Sequence, residues 1–379
     1  MIYLDHASAT PVSKKVLDSM LPFFSDEFFN PSAPYISAKK VQGLYEEAKS
    51  KIAHAIGAKS PDLVITSGAT EATNLAFTAV SKKVLVLETE HQSVLETAKN
   101  YDFETIKVDH TGLIDLDDLR KKLDENVELV SVSLANNEIG TIQPIAEISE
   151  IIRAERQNRL KNGIKTPLYL HSDASQALNL IDINVARLGV DLLTINSAKI
   201  YGPKGVGALY VAHGVKLKPI VYGGGQENGL RSGTENVPAV IGFATAIEEA
   251  KKHLNGNKKL YTEFSNLFQK EIKDAEIEPI FLGNKKHRLM NFCSVSFPGI
   301  DAERLIYKLE DKEIYLSTGA ACAASKGKKS HVLKAIGLSD EEIAGSLRIS
   351  FGALNSKEDI KIAVKEIKQA IKEEIERQK

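Results

Sequence analysis

Short β-branched runs that take turns with longer amphipathic ones are what most constrain this chain. From about residue 61, "DLVIT", "KVLVLE", "ELVSVSLA", "PLYLH", "VDLLTI" and "VGALYV" read as strands. Between some of them, "ATNLAFTAV", "DLDDLRKKL" and "IAEISEIIRAE" place apolar residues at helical spacing. Parallel neighbours need a crossover and helices supply it, so the order predicts an α/β fold with a largely parallel sheet. A long helical stretch around 236–254 then precedes a change of character. "NFCSVSF" reads as a strand, "DAERLIYKLE" as a helix and "SLRISF" as another strand. The final "SKEDIKIAVKEIKQAIKEEIERQK" reads as a helix opened by a capping box from Ser356 to Asp359. Its apolar positions Ile360, Ala363, Val364, Ile367 and Ile371 form one stripe. With 379 residues there is room for two packed units. We expect a large one over 14–255 and a smaller α+β one made of 256–379 completed by 1–13.

Composition narrows the partners. A net charge of −1 exerts no global pull on nucleic acid or an anionic membrane. No apolar run approaches the roughly 18–20 residues of a membrane span, and "MIYLDHASATP" has no signal-peptide pattern. The two cysteines, Cys293 and Cys322, are too few for a disulfide framework. No CxxC or HExxH spacing suggests a metal. A reducing, cytoplasmic setting is the expectation.

Polar residues gather where the strands should end. In "TSGATEATN" a strand gives way through glycine to a helix, so the N–H groups of Ala69 and Thr70 and the Thr70 hydroxyl suit an anion. A well-capped turn fits the same residues. In "LHSDASQAL", Asp173 follows a strand that should be buried on both faces, where a carboxylate needs a partner. A cationic ring nitrogen would serve, and so would a helix N-terminus capped by Asp173. "ANNEIG" brings Asn136 and Asn137, "TEHQSV" brings His91, and "TINSAKIYGPKGVGALYV" sets Lys199 at a strand-to-turn junction. "GPKGVG" is neither a Walker loop nor a dinucleotide fingerprint. The carboxyl ends of parallel strands are where α/β proteins bind ligands. Phosphate donors, a carboxylate, an imidazole, amides and a lysine together match pyridoxal 5′-phosphate.

Nearly end to end, the chain resembles the class V, fold-type I pyridoxal-phosphate enzymes, and among them the cysteine desulfurases of the NifS/IscS type. "YLDHASATP", "NPSAPYISAKKV", "TSGATEATN", "TEHQSV", "NNEIG", "HSDASQ" and "KIYGPKGVGALYV" follow in the family's order. "GGGQENGLRSGTENV" and "STGAACAAS…SLRISFG" complete it and are the most specific. The resemblance implies a large domain with a mainly parallel seven-stranded sheet and a smaller α+β domain. It implies that Lys199 binds the cofactor covalently and moves protons, that Asp173 holds the pyridine nitrogen, and that His91 stacks on the ring and shuttles protons as a catalytic residue. Gln176 and Asn137 would lie on the side of the phenolic oxygen. Ala69, Thr70 and Asn196 would serve the phosphate, with Thr234 arriving from a second subunit of a homodimer. Arg348, together with Asn137, would bind the carboxylate of L-cysteine. Cys322 would take the sulfur as a persulfide, release alanine, and pass the sulfur to an acceptor protein for iron–sulfur clusters or tRNA thiolation. Its flanks, "TGAACAASKGKKS", are those of an exposed loop, whereas Cys293 in "NFCSVSF" alternates like a core residue. The Lys326, Lys328 and Lys329 run suits a solvated loop, a lowered thiol pKa or an acidic acceptor.

Departures from the family pattern are specific. The usual Ser-x-His before the lysine is here Asn196 and Ala198. His6 replaces an asparagine, and Tyr35 stands where a histidine is common. Selenocysteine lyase and a catalytically reduced scaffold paralogue are the alternatives to a desulfurase.

Overall fold

The computed structural model describes residues 1–318 and 329–379. Strands β1 (Ile2–Tyr3), β2 (Leu63–Thr66), β3 (Lys83–Leu87), β4 (Asp102–Ile106), β5 (Val127–Ser131), β6 (Tyr169–Asp173), β7 (Leu192–Asn196) and β8 (Gly207–Val211) come first along the chain. All but β1 form one seven-stranded sheet in the order β2-β8-β7-β6-β5-β3-β4. Only β8 runs against its neighbours β2 and β7; the remaining pairings are parallel. The β-branched runs are continuous because β3, β5, β6 and β7 are covered on both faces and almost wholly buried.

From β3 the chain steps outward to β4, then returns on the other side of β3 through β5, β6 and β7. The connections leaving β3 and β5 therefore diverge, and a crevice opens at the carboxyl end of the sheet. Asn196 at the end of β7 pairs with Gly207 at the start of β8, as Thr66 at the end of β2 does. The connection that carries Lys199 lies over that same end. A Cβ at Gly207 would stand 2.8 Å from Gly68 Cα, so only glycine lets β8 pass this close beneath the turn after β2.

The 36-residue helix Val237–Ile272 continues 18 residues past the predicted stretch. Its first part, from Val237 to Ala250, packs into the core beside the large sheet. Tyr261, Phe264, Phe268 and Ile272 join a second core. There β9 (Ile280–Phe281), β10 (Val295–Ser296) and β12 (Ser346–Leu347) form an antiparallel sheet, and β11 (Ile314–Tyr315) pairs in parallel with β1. The expected strands in "NFCSVSF" and "SLRISF" are thus only two residues long. Extended backbone prolongs them, bridging Arg348 to Ser317 and Ser350 to Asp5. The capping box from Ser356 to Asp359 forms, and the predicted stripe on helix Lys357–Gln378 is buried. Among the described residues no helix is long and apolar enough to cross a membrane, and no side-chain cluster could hold a metal.

Candidate active site

The crevice contains a cavity of ≈ 420 Å³. Ala69, Thr70, His91, Asn137, Asp173, Gln176, Asn196, Lys199 and Arg348 all line it. Thr234 does not: it is exposed on the segment before the long helix. Cys322 lies outside the described residues, as do Lys326 and Lys328. Lys329 pairs with Asp340 at 2.8 Å on the surface.

At one end, helix Ala69–Phe77 starts at the cavity wall with Gly68 at φ 151°. Among the described residues no side chain caps it, which leaves first-turn N–H groups for an anion. A Cβ on Gly68 would meet no atom within 4 Å, so the turn leaves an open cradle. Asn196 Oδ1 accepts from the Ala198 N–H at 3.1 Å. Its amide N–H₂ remains for the cavity. Glu71, in the same first turn, would repel a phosphate by itself. Burial pushes its pKa up, but donors from Ser67 and a 3.0 Å contact with Arg231 outweigh that and hold the carboxylate ionised and neutralised.

On the floor, Asp173 closes β6 and is 8 % exposed. One oxygen accepts from the Ser175 N–H at 2.8 Å, closing a turn rather than capping a helix. The carboxylate also lines the cavity. Lys199 donates to the Ser8 carbonyl across the cavity mouth. One Gln176 amide hydrogen goes to the Ala7 carbonyl at 3.0 Å.

His91 caps the next helix, its Nδ1 accepting from the Ser93 N–H at 3.1 Å. The proton of the neutral ring is therefore on Nε2. The ring is accessible from the cavity itself but walled by protein elsewhere. That desolvation lowers its pKa against the opposing pull of Asp173.

Arg348 also lines the cavity and is 4 % exposed. Nη1 donates to the Asn137 carbonyl at 3.0 Å, and Nη2 to Asp5 at 2.7 Å and Ser8 at 2.5 Å. Its Nε is buried and finds no partner among the described residues. A buried guanidinium with a donor in hand fits an incoming carboxylate.

The motifs did not single out Glu90, Glu138, Ser133 or His331. Glu90 Oε1 accepts from the Ser133 N–H at 2.5 Å, and burial raises its pKa to about 8. Glu138 accepts from the Ser330 hydroxyl at 2.5 Å, and burial raises it to about 7 despite Ser330 and Arg348. His331 Nε2 donates to the Glu90 carbonyl at 2.9 Å, and burial lowers its pKa. Both glutamates sit inside the quoted motifs, beside His91 and Asn137. They lie in the turns that follow β3 and β5, so no strand or helix pattern marked them for burial. Cys293 behaves as expected: buried, free and pushed up to about 12 by desolvation.

An uncapped helix start, a floor carboxylate, a lysine and an arginine with a donor to spare fit pyridoxal phosphate and an amino acid. Known proteins agree. The aminotransferase class-V model matches residues 2–362. The cysteine desulfurase IscS 1 of Archaeoglobus fulgidus is 42 % identical over 372 residues, 95 % of this chain and 94 % of its own. The cysteine desulfurase IscS of Dictyoglomus turgidum is 39 % identical over 372 residues, 95 % and 91 %. A solved NifS-like protein superposes with a TM-score of 0.89 at 31 % identity, covering 98 % of this chain and 99 % of its own. A structure described as SspA in complex with cysteine gives 0.79 at 32 %, covering 93 % and 99 %. The chain therefore belongs to the aminotransferase class-V family of fold-type I, pyridoxal-phosphate-dependent enzymes, on its NifS/IscS-type cysteine desulfurase branch.

Proposed function

We propose that this enzyme converts L-cysteine to L-alanine, with the sulfur held as a persulfide on Cys322. What most supports this reading is that one cavity joins Lys199, Asp173, His91 and Arg348 in a chain similar to curated cysteine desulfurases over almost its whole length. Pyridoxal phosphate, when bound, supplies an electron sink for the substrate's α-carbon. The first-turn N–H groups of Ala69 and Thr70, with the Asn196 amide, bind its phosphate. Asp173, on the cavity floor, holds the pyridine nitrogen. Gln176 and Asn137 orient the opposite ring edge. Lys199, tethered near the Ser8 carbonyl, carries the cofactor and moves protons at the substrate carbons. His91 presents its Nε2 side to the cavity. Arg348 takes the substrate carboxylate.

The enzyme acts in this reading as a cytoplasmic homodimer in which Thr234, exposed on its own subunit, completes the partner's phosphate site. Residues 14–255 form the cofactor-binding unit, and 1–13 with 256–379 the smaller one. The change of core along helix Val237–Ile272 supports that division. The persulfide passes to an iron–sulfur scaffold or a tRNA-thiolation protein.

Incubation with L-cysteine should release alanine and leave one added sulfur on the Cys322 peptide by mass spectrometry. Cys322→Ser should lose both products yet keep its yellow cofactor. Retained desulfuration in that variant, or turnover of selenocysteine alone, overturns the reading. An active cofactor-bound monomer by sedimentation overturns the shared site.

A further inference from the structure

Beneath the cavity floor lies a buried polar trio that no step above uses. Ser131 on β5, His171 on β6 and Thr194 on β7 are all 0 % exposed, and none lines the cavity. His171 Nδ1 lies 2.8 Å from Ser131 Oγ, and Nε2 lies 3.0 Å from Thr194 Oγ1. The imidazole thus ties three adjacent strands together. Around it the packing is apolar, from Leu129 and Leu192 to Phe77, whose ring meets His171 edge-on at 6.0 Å. Burying three polar side chains in such a place is costly unless every one is satisfied. Packing alone would be served by aliphatic residues.

The register says what the trio supports. His171 and Asp173 are two apart on β6 and so share a face. Ser131 stands level with His171, and Thr194 level with Asp173 on the neighbouring strand. Cross-strand neighbours in register are on the same face and in contact range. The ring therefore runs diagonally from a position level with itself to one directly beside the carboxylate. Phe77 ends the helix whose first turn forms the anion cradle. One imidazole touches the supports of both the carboxylate and the cradle.

We propose that His171 is a positioning residue: held between Ser131 and Thr194, it sets where the Asp173 carboxylate meets the pyridine nitrogen of the cofactor. The inference rests on pyridoxal phosphate binding at Asp173. The groups facing Asp173 are His171 beneath it, Glu90 and His91 from the segment after β3, and Lys199 from the turn after β7. Burial lowers the His171 pKa to about 4, against the attraction of Asp173, so the ring is neutral at physiological pH. A neutral ring does not compete for the carboxylate. It leaves the Asp173 charge for a cation in the cavity.

The test replaces the trio by apolar groups of similar shape, Ser131→Ala/His171→Leu/Thr194→Val, which removes every partner at once and leaves no buried donor stranded. The apoprotein should melt near the wild-type temperature. Pyridoxal phosphate titrated into it should bind about ten- to a hundredfold more weakly, the loss expected when a hydrogen bond to a charged group is spoiled. The pH midpoint of the bound cofactor's visible band should move, and His171→Gln, which keeps one donor and one acceptor, should restore much of both. Should the triple variant not fold, Thr194→Val carries the same two readings. Equal affinity and an unchanged midpoint in the folded variant overturn the proposal. A wild-type protein that takes up no pyridoxal phosphate overturns the cofactor reading and this one with it.

Discussion

Arg348 Nη2 donates to Asp5 Oδ1 at 2.7 Å, joining the extended segment after β12 to the N-terminal segment after β1. The pair is buried on the arginine side, with 5 % of that side chain exposed against 18 % for the aspartate. Asp5 and Ser8 take Nη2, Asn137 takes one of the two Nη1 hydrogens, and among the described residues Nε finds no partner. The guanidinium is thus oriented before substrate arrives, and its charge is already partly answered.

An ammonium cannot reproduce that fork. Arg348→Lys should raise the KM for L-cysteine by about ten- to a hundredfold, the worth of a charge-assisted hydrogen bond. Cofactor affinity should not change, because the partners of Arg348 are Asn137, Asp5 and Ser8 and none belongs to the anion cradle. Steady-state kinetics and a cofactor titration on the same preparation check it.

Asp5 competes with the substrate carboxylate for the same cation. Asp5→Asn keeps an oxygen for Nη2 but removes the charge. The KM should fall a few-fold while kcat holds, since Asp5 touches no reacting atom. A higher KM would mean that Asp5 serves chiefly to hold the arginine in place.

Most of this architecture is legible in the chain because its central strands are buried on both faces, which forces unbroken β-branched runs. The strand β4 is the instructive failure. "DFETI" carries Asp102 and Glu104 on its solvent side, as an edge strand can, and Lys83 pairs with Glu104 at 2.7 Å. That charged face hides the strand from a search for apolar runs. The motif residues that line the cavity were legible because most lie at or shortly after a strand end inside a compact motif, whereas Thr234 does not line it and Cys322 lies outside the described residues. Asp5 and His331 were not. Their positions depend on the N-terminal segment and the short helix His331–Ala335 folding back onto the cavity, which no local pattern encodes.

Glu90 is fully buried, with Oε2 unpartnered among the described residues and its pKa raised to about 8. Between the ordinary value of 4.5 and about 8 the folded protein holds a proton that the unfolded chain releases. More protons bound in the native state means that stability falls as pH rises through this window and levels off above it. Glu90→Gln mimics the protonated acid. It should melt at a temperature close to wild type at pH 5 and above wild type at pH 8.5, with the gap opening by at most about 1.4 kcal/mol per pH unit. Parallel melting curves at every pH would show that Glu90 is ionised in the fold after all.

Ala198 lines the cavity beside Lys199, at the position where the resemblance to the family implies a histidine. Its N–H is taken by Asn196 and its carbonyl accepts from Thr10, so only the side chain could reach a phosphate, and a methyl group donates nothing. Nor do the two nearby departures fill the gap. Tyr35 is exposed and meets Phe29 edge-on, while His6 is buried against Tyr3 with its Nδ1 3.2 Å from the Tyr201 hydroxyl. Neither lines the cavity. Asn196 supplies one amide in place of a hydroxyl, which offsets part of the loss. A missing hydrogen bond to a charged phosphate is worth about 1.5–3 kcal/mol, roughly ten- to a hundredfold in affinity. Ala198→His places an imidazole where the alanine methyl now borders open space, so the variant should lose cofactor about tenfold more slowly after dilution. Following the decay of the visible band in both proteins decides the matter. Equal rates would mean that another group already binds the phosphate at this corner, with Asn196 the first to test by Asn196→Ala.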